Sequence, residues 1–494
     1  MYAREGSLER KMLLIELNEV PYRVLDVYCR ERPASALAKL LPCSLQHRTT
    51  TEDRLALDPW ISWPTLHRGV TDETHQILHL GQPIDDVDEH YPPIWRLLKE
   101  RGLKVGVFGS LHSSNVPADV SDYSFYLPDY FGSELFAHPS SLAPFQALNL
   151  AMTRQSARNV TRKVPLGTFA RFLANAPSSG LTLSTALDSA GQLVRETFDR
   201  SVRIRRRAYQ PLIMADLFLR QLERTQPDFA TFYTNHVAAA MHRYWGAAFP
   251  DDYEHPLDAE WIGRYEGEIR FAMDKFDKIL GQLVRFVDTH PEYTLLVASS
   301  MGQAAIPAEK TSEFLTITDL SKFMTQLGVP AGAWQARPAM IPCHCAVVDE
   351  QYRDQVVSTA SELIVGDARM KLDKRPVAPL SYDERSRGFF QFFIQFDNYR
   401  GPPHARLGGK QLQLGELGLG LMAHEDNVNC TAQHVPEGSL FAYGRGVRED
   451  GGGPRGSIST LDVAPSILSF FGFETPSHMR GAPTAFAPSQ VLAS

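Results

Sequence analysis

The segment GEIRFAMDKFDKILGQLVRFVDTH (267–290) carries apolar residues at helical spacing and runs through THPE (289–292) toward LLVASSMGQ (295–303). Pro291 breaks the helix, and a short apolar run after such a break reads as a buried strand. A helix feeding a buried strand is the unit from which parallel sheets are built. The pattern recurs: KMLLIELN (11–18) precedes VPYRVLDVYCRE, whose Val20, Val24 and Val27 keep helical spacing. PPIWRLLKERG (92–102) opens on prolines, stops at Gly102 and leads into LKVGVFGS (103–110). These runs predict an α/β fold with a mostly parallel central sheet flanked by helices.

At 494 residues the chain exceeds what one compact core usually holds, so insertions or a second domain are expected. The strand-and-helix pattern assigns 11–135, 216–320 and 421–490 to the core. Residues 136–215 are strand-poor and read as a helical insertion or cap. Residues 321–420, with AMIPCHCAVVD and the aromatic run GFFQFFIQF (388–396), read as a small α+β insertion. CHC (343–345) belongs to an alternating strand rather than to a cysteine metal site.

Hydrophobic residues make up 43% and charged ones 22%, which suits a globular chain and argues against disorder. The net charge of −7 gives no reason to expect a nucleic-acid polymer as partner. The basic run RIRRR (203–207) reads as a solvated face. No window approaches 18 apolar residues, so no membrane span is expected, and the N-terminal stretch lacks a signal-peptide core. Five scattered cysteines suit a reducing compartment, and a cytoplasmic location is expected.

Three stretches carry candidate chemistry. In DPWISWPTLHRGV (58–70), Pro59 and Pro64 frame Ser62, and Gly69 ends a short helix. Ser62 is either a nucleophile near a helix start or an N-cap. YTNHVAAAMHRYW (233–245) follows a strand and offers His236 and His242, either as half-buried polar rings or as metal ligands. The stretch 423–444 adds His424, Glu425, Asp426 and His434 ahead of a strand.

Together with the closing segment STLDVAPSILSFFGFETPSHMRGAP (459–483), these pieces resemble the alkaline phosphatase superfamily, particularly its type I phosphodiesterase/nucleotide pyrophosphatase branch. The resemblance implies an alkaline phosphatase-like core, two divalent metals and a Ser or Thr nucleophile shortly before a Pro, which Ser62 supplies. It also marks departures. Asn18 stands where the first strand ends in a metal-binding Asp, and Ala238 stands four residues before His242 where an Asp is expected. SSMG (299–302) replaces an S-D-H-G element, so Ser300 and Met301 occupy ligand positions. His434 matches the family's last histidine.

A position built from Asn18, Ser62, Ser300 and Met301 suits no hard cation. The other, with His242, His434 and His236 swinging in, is expected to hold at most one divalent metal, Zn²⁺ or Mn²⁺; otherwise the histidines bind anions. The expected activity is hydrolysis or transfer of small phosphate-type esters (phosphodiester, phosphomonoester or sulfate), with Asn18 and Ser300 contacting substrate. Glu16, Glu19, His67 and His236 are candidate bases. A catalytically silent homologue and a group-transfer enzyme of polysaccharide or natural-product assembly remain as alternatives. Oligomeric state is left open.

Overall fold

A computed structural model describes residues 10–484 apart from 130–131, 133–134, 156–165, 255–256, 308–310, 371, 374–379, 383–387, 425–429, 445–446 and 448–454. Eight strands form the main sheet: β1 (Lys11–Leu17), β2 (Leu45–Thr50), β3 (Val105–Phe108), β4 (Phe125–Leu127), β5 (Phe229–Thr234), β6 (Tyr293–Ala298), β7 (Leu440–Gly444) and β8 (Gly456–Ser459). Their spatial order is β8-β2-β7-β6-β1-β5-β3-β4. Only β7 runs antiparallel, against both β6 and β2. β2, β4 and β8 are short or polar and left no clear apolar signature in the sequence.

Every residue of β1, β5 and β6 is buried, as expected for central strands covered on both faces. One group of helices includes Glu268–Thr289, His236–Ala248 and Ala36–Leu40; another joins Pro59–Arg68, Ile94–Glu100 and Val463–Phe470. Between β4 and β5 the described residues form helices, including Leu166–Ser179, Leu183–Phe198 and Tyr209–Thr225. RIRRR is not simply solvated: Arg205 makes a bidentate pair with Glu268, and Arg206 bonds Glu196.

Residues between β6 and β7 build smaller, largely antiparallel sheets, most of them around an apolar cluster of their own that includes Leu315, Phe323, Phe390 and Phe392. The aromatic run is a core strand, Phe389–Phe393, paired with the strand Cys343–Val348 that contains CHC.

The parallel register sets up the site. Leu17 lies opposite Thr234, and Glu16 opposite Ala298. The residues that follow these strands therefore emerge side by side at the carboxyl edge, where open α/β sheets bind ligands. Ser299 ties this edge together, because its hydroxyl donates to the Leu17 carbonyl and accepts from the Val20 amide. Gly302 is required there: a Cβ would sit 2.1 Å from the Glu437 carbonyl oxygen.

Candidate functional site

Glu19 is the second residue past β1. Its backbone is left-handed (φ 59°), a conformation that costs a non-glycine residue about 1–2 kcal/mol. That turn aims its carboxylate across the sheet edge. Oε2 lies 2.9 Å from His242 Nε2 and 3.3 Å from His434 Nε2, and the two imidazole nitrogens are 3.2 Å apart. His242 comes from the helix after β5. His434 comes from the strand Ala432–Val435, which pairs antiparallel with Gly302–Ala305. In that pairing His434 faces Gln303, and directly opposed residues share a face. The Gln303 amide accordingly donates to the same Glu19 oxygen.

The surroundings fix which ring nitrogens face inward. His434 Nδ1 lies 2.7 Å from the Leu57 carbonyl, and His242 Nδ1 lies 3.1 Å from the Ala432 carbonyl. A carbonyl only accepts, so each Nδ1 carries a proton; without a cation each Nε2 is protonated too and faces Glu19, and loss of that proton would free its lone pair for a metal. Backbone carbonyls behind histidines are a usual support for metal ligands. A tetrahedral Zn²⁺ with bonds of about 2.0–2.1 Å separates its ligand atoms by roughly 3.3 Å, close to the spacing seen here. The donor set therefore fits one divalent cation with an open coordination position. Among the described residues, this is the group of three whose ligand atoms converge.

Charge binds the trio. Burial would raise the Glu19 carboxyl, but His434 and His242 hold it well below the ordinary carboxylate range. Burial would depress His242, yet Glu19 and Cys430 hold its pKa well above the ordinary value; Glu19 likewise raises His434 against burial. Asp58 adds a carboxylate 3.4 Å from His434 Nδ1, and burial pushes its pKa up to about 6. It occupies the N-cap position of Pro59–Arg68 without capping it, so its side chain remains directed at the site.

A second network lies beside the first. Trp63 Nε1 donates to Asn18 Oδ1 at 2.7 Å, which fixes the orientation of the Asn18 amide. Asn18 Nδ2 then donates to Glu19 Oε1 at 2.6 Å and to Asn235 Oδ1 at 2.8 Å. Ser62 and Ser300 pair hydroxyl to hydroxyl at 2.7 Å, and neither is accessible. Met301 is buried as well. Neutral amide, hydroxyl and thioether groups, already bonded to one another or enclosed, do not fit a hard cation.

Several expectations change in the light of this geometry. His236 does not join the trio: its Nδ1 bonds the Thr234 hydroxyl (2.6 Å) and its Nε2 the Ala272 carbonyl (3.1 Å). Six residues at 3.6 per turn put His236 and His242 about 240° apart around their helix, so both cannot face one point. Ser62 is the fourth residue of Pro59–Arg68, not its N-cap, and Gly69 ends that helix in a left-handed conformation (φ 64°). Glu16 and His67 pair with each other at 2.8 Å in the interior, too enclosed to serve a substrate as bases. Asn18 and Ser300, expected on substrate, spend their polar atoms internally. His424 packs on Phe314, while Glu425 and Asp426 lie outside the described residues. Glu19 as a ligand, Gln303 and Asp58 were missed. The first was visible only as a carboxylate adjoining Asn18 in IELNE, and Asp58 only as an acidic residue opening a helix.

The model of the family described as type I phosphodiesterase / nucleotide pyrophosphatase matches residues 69–387, well over half of the chain. The chain belongs to that family. The match includes His242 and Ser300, whereas Asn18, Glu19, Ser62 and His434 lie outside it. Similar solved structures include murine ectonucleotide pyrophosphatase / phosphodiesterase 5, at 11% identity and TM-score 0.41, covering 97% of this chain and 100% of that one. An inactive form of the murine protein in complex with AMP gives 11%, 0.42 and the same coverage, and the human protein 11%, 0.41 and the same coverage. No curated protein sequence matches the chain.

Proposed function

We propose that this phosphodiesterase family member hydrolyses or transfers small phosphate-type esters around one divalent cation, Zn²⁺ or Mn²⁺, held by Glu19, His242 and His434. The convergence of those three donors carries the reading. Such a cation supplies Lewis acidity toward a phosphoryl oxygen when bound. The chain's own residues do the rest. The Leu57 and Ala432 carbonyls orient the imidazoles, and Asn18 and Gln303 hold the carboxylate. Asp58, at the partly open rim, is positioned to exchange a proton with an incoming or departing group. Ser62 is the proposed nucleophile; its hydroxyl is oriented by Ser300 and enclosed with it, so attack requires this edge of the site to open.

The test is elemental analysis of the purified protein together with turnover of aryl phosphomonoester, phosphodiester and sulfate substrates. Stoichiometric zinc or manganese that disappears in His242→Ala, with turnover lost and regained through chelation and resupply, is the expected result. Metal content unaffected by His242→Ala would overturn it.

The full burial of Ser62 favours a second reading, in which the cleft holds an anionic ester without cleaving it. Metal-dependent binding of a phosphodiester with no turnover, equal in parent and Ser62→Ala, distinguishes that case.

A further inference from the structure

The helix Leu183–Phe198 is mounted with its polar side inward. Thr185, Gln192 and Glu196 are buried, with Gln192 donating to the Val202 carbonyl and Glu196 accepting from Arg206. Outward stand Leu183 (74% exposed), Leu187 (63%), Val194 (57%) and Phe198 (88%). At 3.6 residues per turn these four fall within an arc of about 60°, so they form one continuous apolar stripe. Single exposed apolar side chains are ordinary, but a stripe with the polar face turned inward marks a surface that meets something apolar.

Charge identifies the occupant. Residues 136–215 hold eleven basic and three acidic residues, a local net charge of +8 in a chain whose total is −7. Two of those acids are directed inward: Glu196 to Arg206, and Asp188 to Lys275. Arg195, beside Val194, and Arg200, just past Phe198, remain exposed. An apolar stripe edged by arginines matches an anionic lipid surface, where apolar side chains enter the headgroup boundary and cations meet the headgroups. A second copy of the chain would instead bring two strongly basic segments together.

We propose that this segment docks the protein peripherally on anionic membranes, with the Leu183–Phe198 stripe lying in the interface. No helix among the described residues is long and apolar enough to cross a membrane, so the contact is one of lying on the surface. Nothing in this inference depends on the chemistry of the site.

Flotation of the full chain with vesicles of phosphatidylcholine, alone or mixed with phosphatidylglycerol, tests it. Binding is expected with the mixed vesicles, weakening as salt rises. Leu187→Glu/Phe198→Glu abolishes it, and Arg195→Glu/Arg200→Glu lowers the bound-to-free ratio by about tenfold or more. All four positions are exposed, and unchanged circular dichroism and melting establish that the variants fold. Failure to float with the mixed vesicles, undiminished flotation of Leu187→Glu/Phe198→Glu, or a solution dimer dispersed by that same pair of substitutions would each overturn the proposal.

Discussion

The Ser62 and Ser300 hydroxyls lie 2.7 Å apart in the protein interior, each the other's hydrogen-bond partner. Removing either one leaves its partner unsatisfied, at a cost of about 1–3 kcal/mol. If Ser62 is the nucleophile, Ser62→Ala and Ser300→Ala have similar melting temperatures, yet only Ser62→Ala loses turnover entirely. Parallel thermal melts and ester-hydrolysis assays check this, and equal residual turnover in the two variants removes Ser62 from the mechanism.

Glu19 carries the negative charge of the trio. Glu19→Gln keeps its shape but removes that charge, and it should weaken cation affinity by more than the roughly 10–100-fold that changes behind the ligands cost. Calorimetric titration of chelator-treated protein with Zn²⁺ measures this directly. The variant should also lose the rise in melting temperature that a bound cation gives the parent, since a ligand stabilises only the state that binds it.

Trp63 acts on the site through Asn18. Its indole N–H selects the amide orientation that lets Asn18 donate to Glu19. Trp63→Phe removes the donor while keeping an aromatic ring in the core. Zn²⁺ affinity should fall by about tenfold, in the range of other outer-sphere changes. A purely structural role predicts lowered stability with unchanged affinity, and titration of the folded variant tells the two apart.

His236 is held neutral, its pKa depressed by burial to about 4 against an ordinary value near 6.5. The unfolded chain therefore binds the extra proton between those values, so this residue's contribution to stability is fully present above pH 6.5 and falls as pH drops toward 4. Asp53, pushed up to about 6 by burial, works in the opposite direction over part of that window. The difference between His236→Gln and the parent isolates the histidine. Urea unfolding at pH 7 and pH 5 should show the parent losing about 2 kcal/mol more than the variant.

The central sheet was legible because β1, β5 and β6 are buried on both faces and so read as largely apolar runs, despite Lys11 and Glu16 in β1 and threonines in β5 and β6. The peripheral strands β2 and β8 were not: LQHRTT and GSIS follow no apolar pattern and are held by pairing with distant partners. At the site, His242 and His434 were singled out from their own stretches and then matched by the family resemblance, and the structure brings them together. Glu19 was not paired with them, because its placement depends on one left-handed residue and on a register set by chain far away. His236 was grouped with His242 by closeness in sequence, when helical geometry alone puts them on different sides. Asp58 carried no signal of its own, since nothing local announces an N-cap whose side chain does not cap.

The pairing of His434 with Gln303 links two jobs in one antiparallel strand pair, since one side chain offers a nitrogen and the other restrains the carboxylate that completes the set. A slip of one place in the strand Ala432–Val435 would turn the His434 imidazole away, because neighbouring residues in a strand point to opposite sides. Completion of the donor set is thereby tied to the pairing of two remote segments: a misaligned molecule keeps Glu19 and His242 but lacks its third donor.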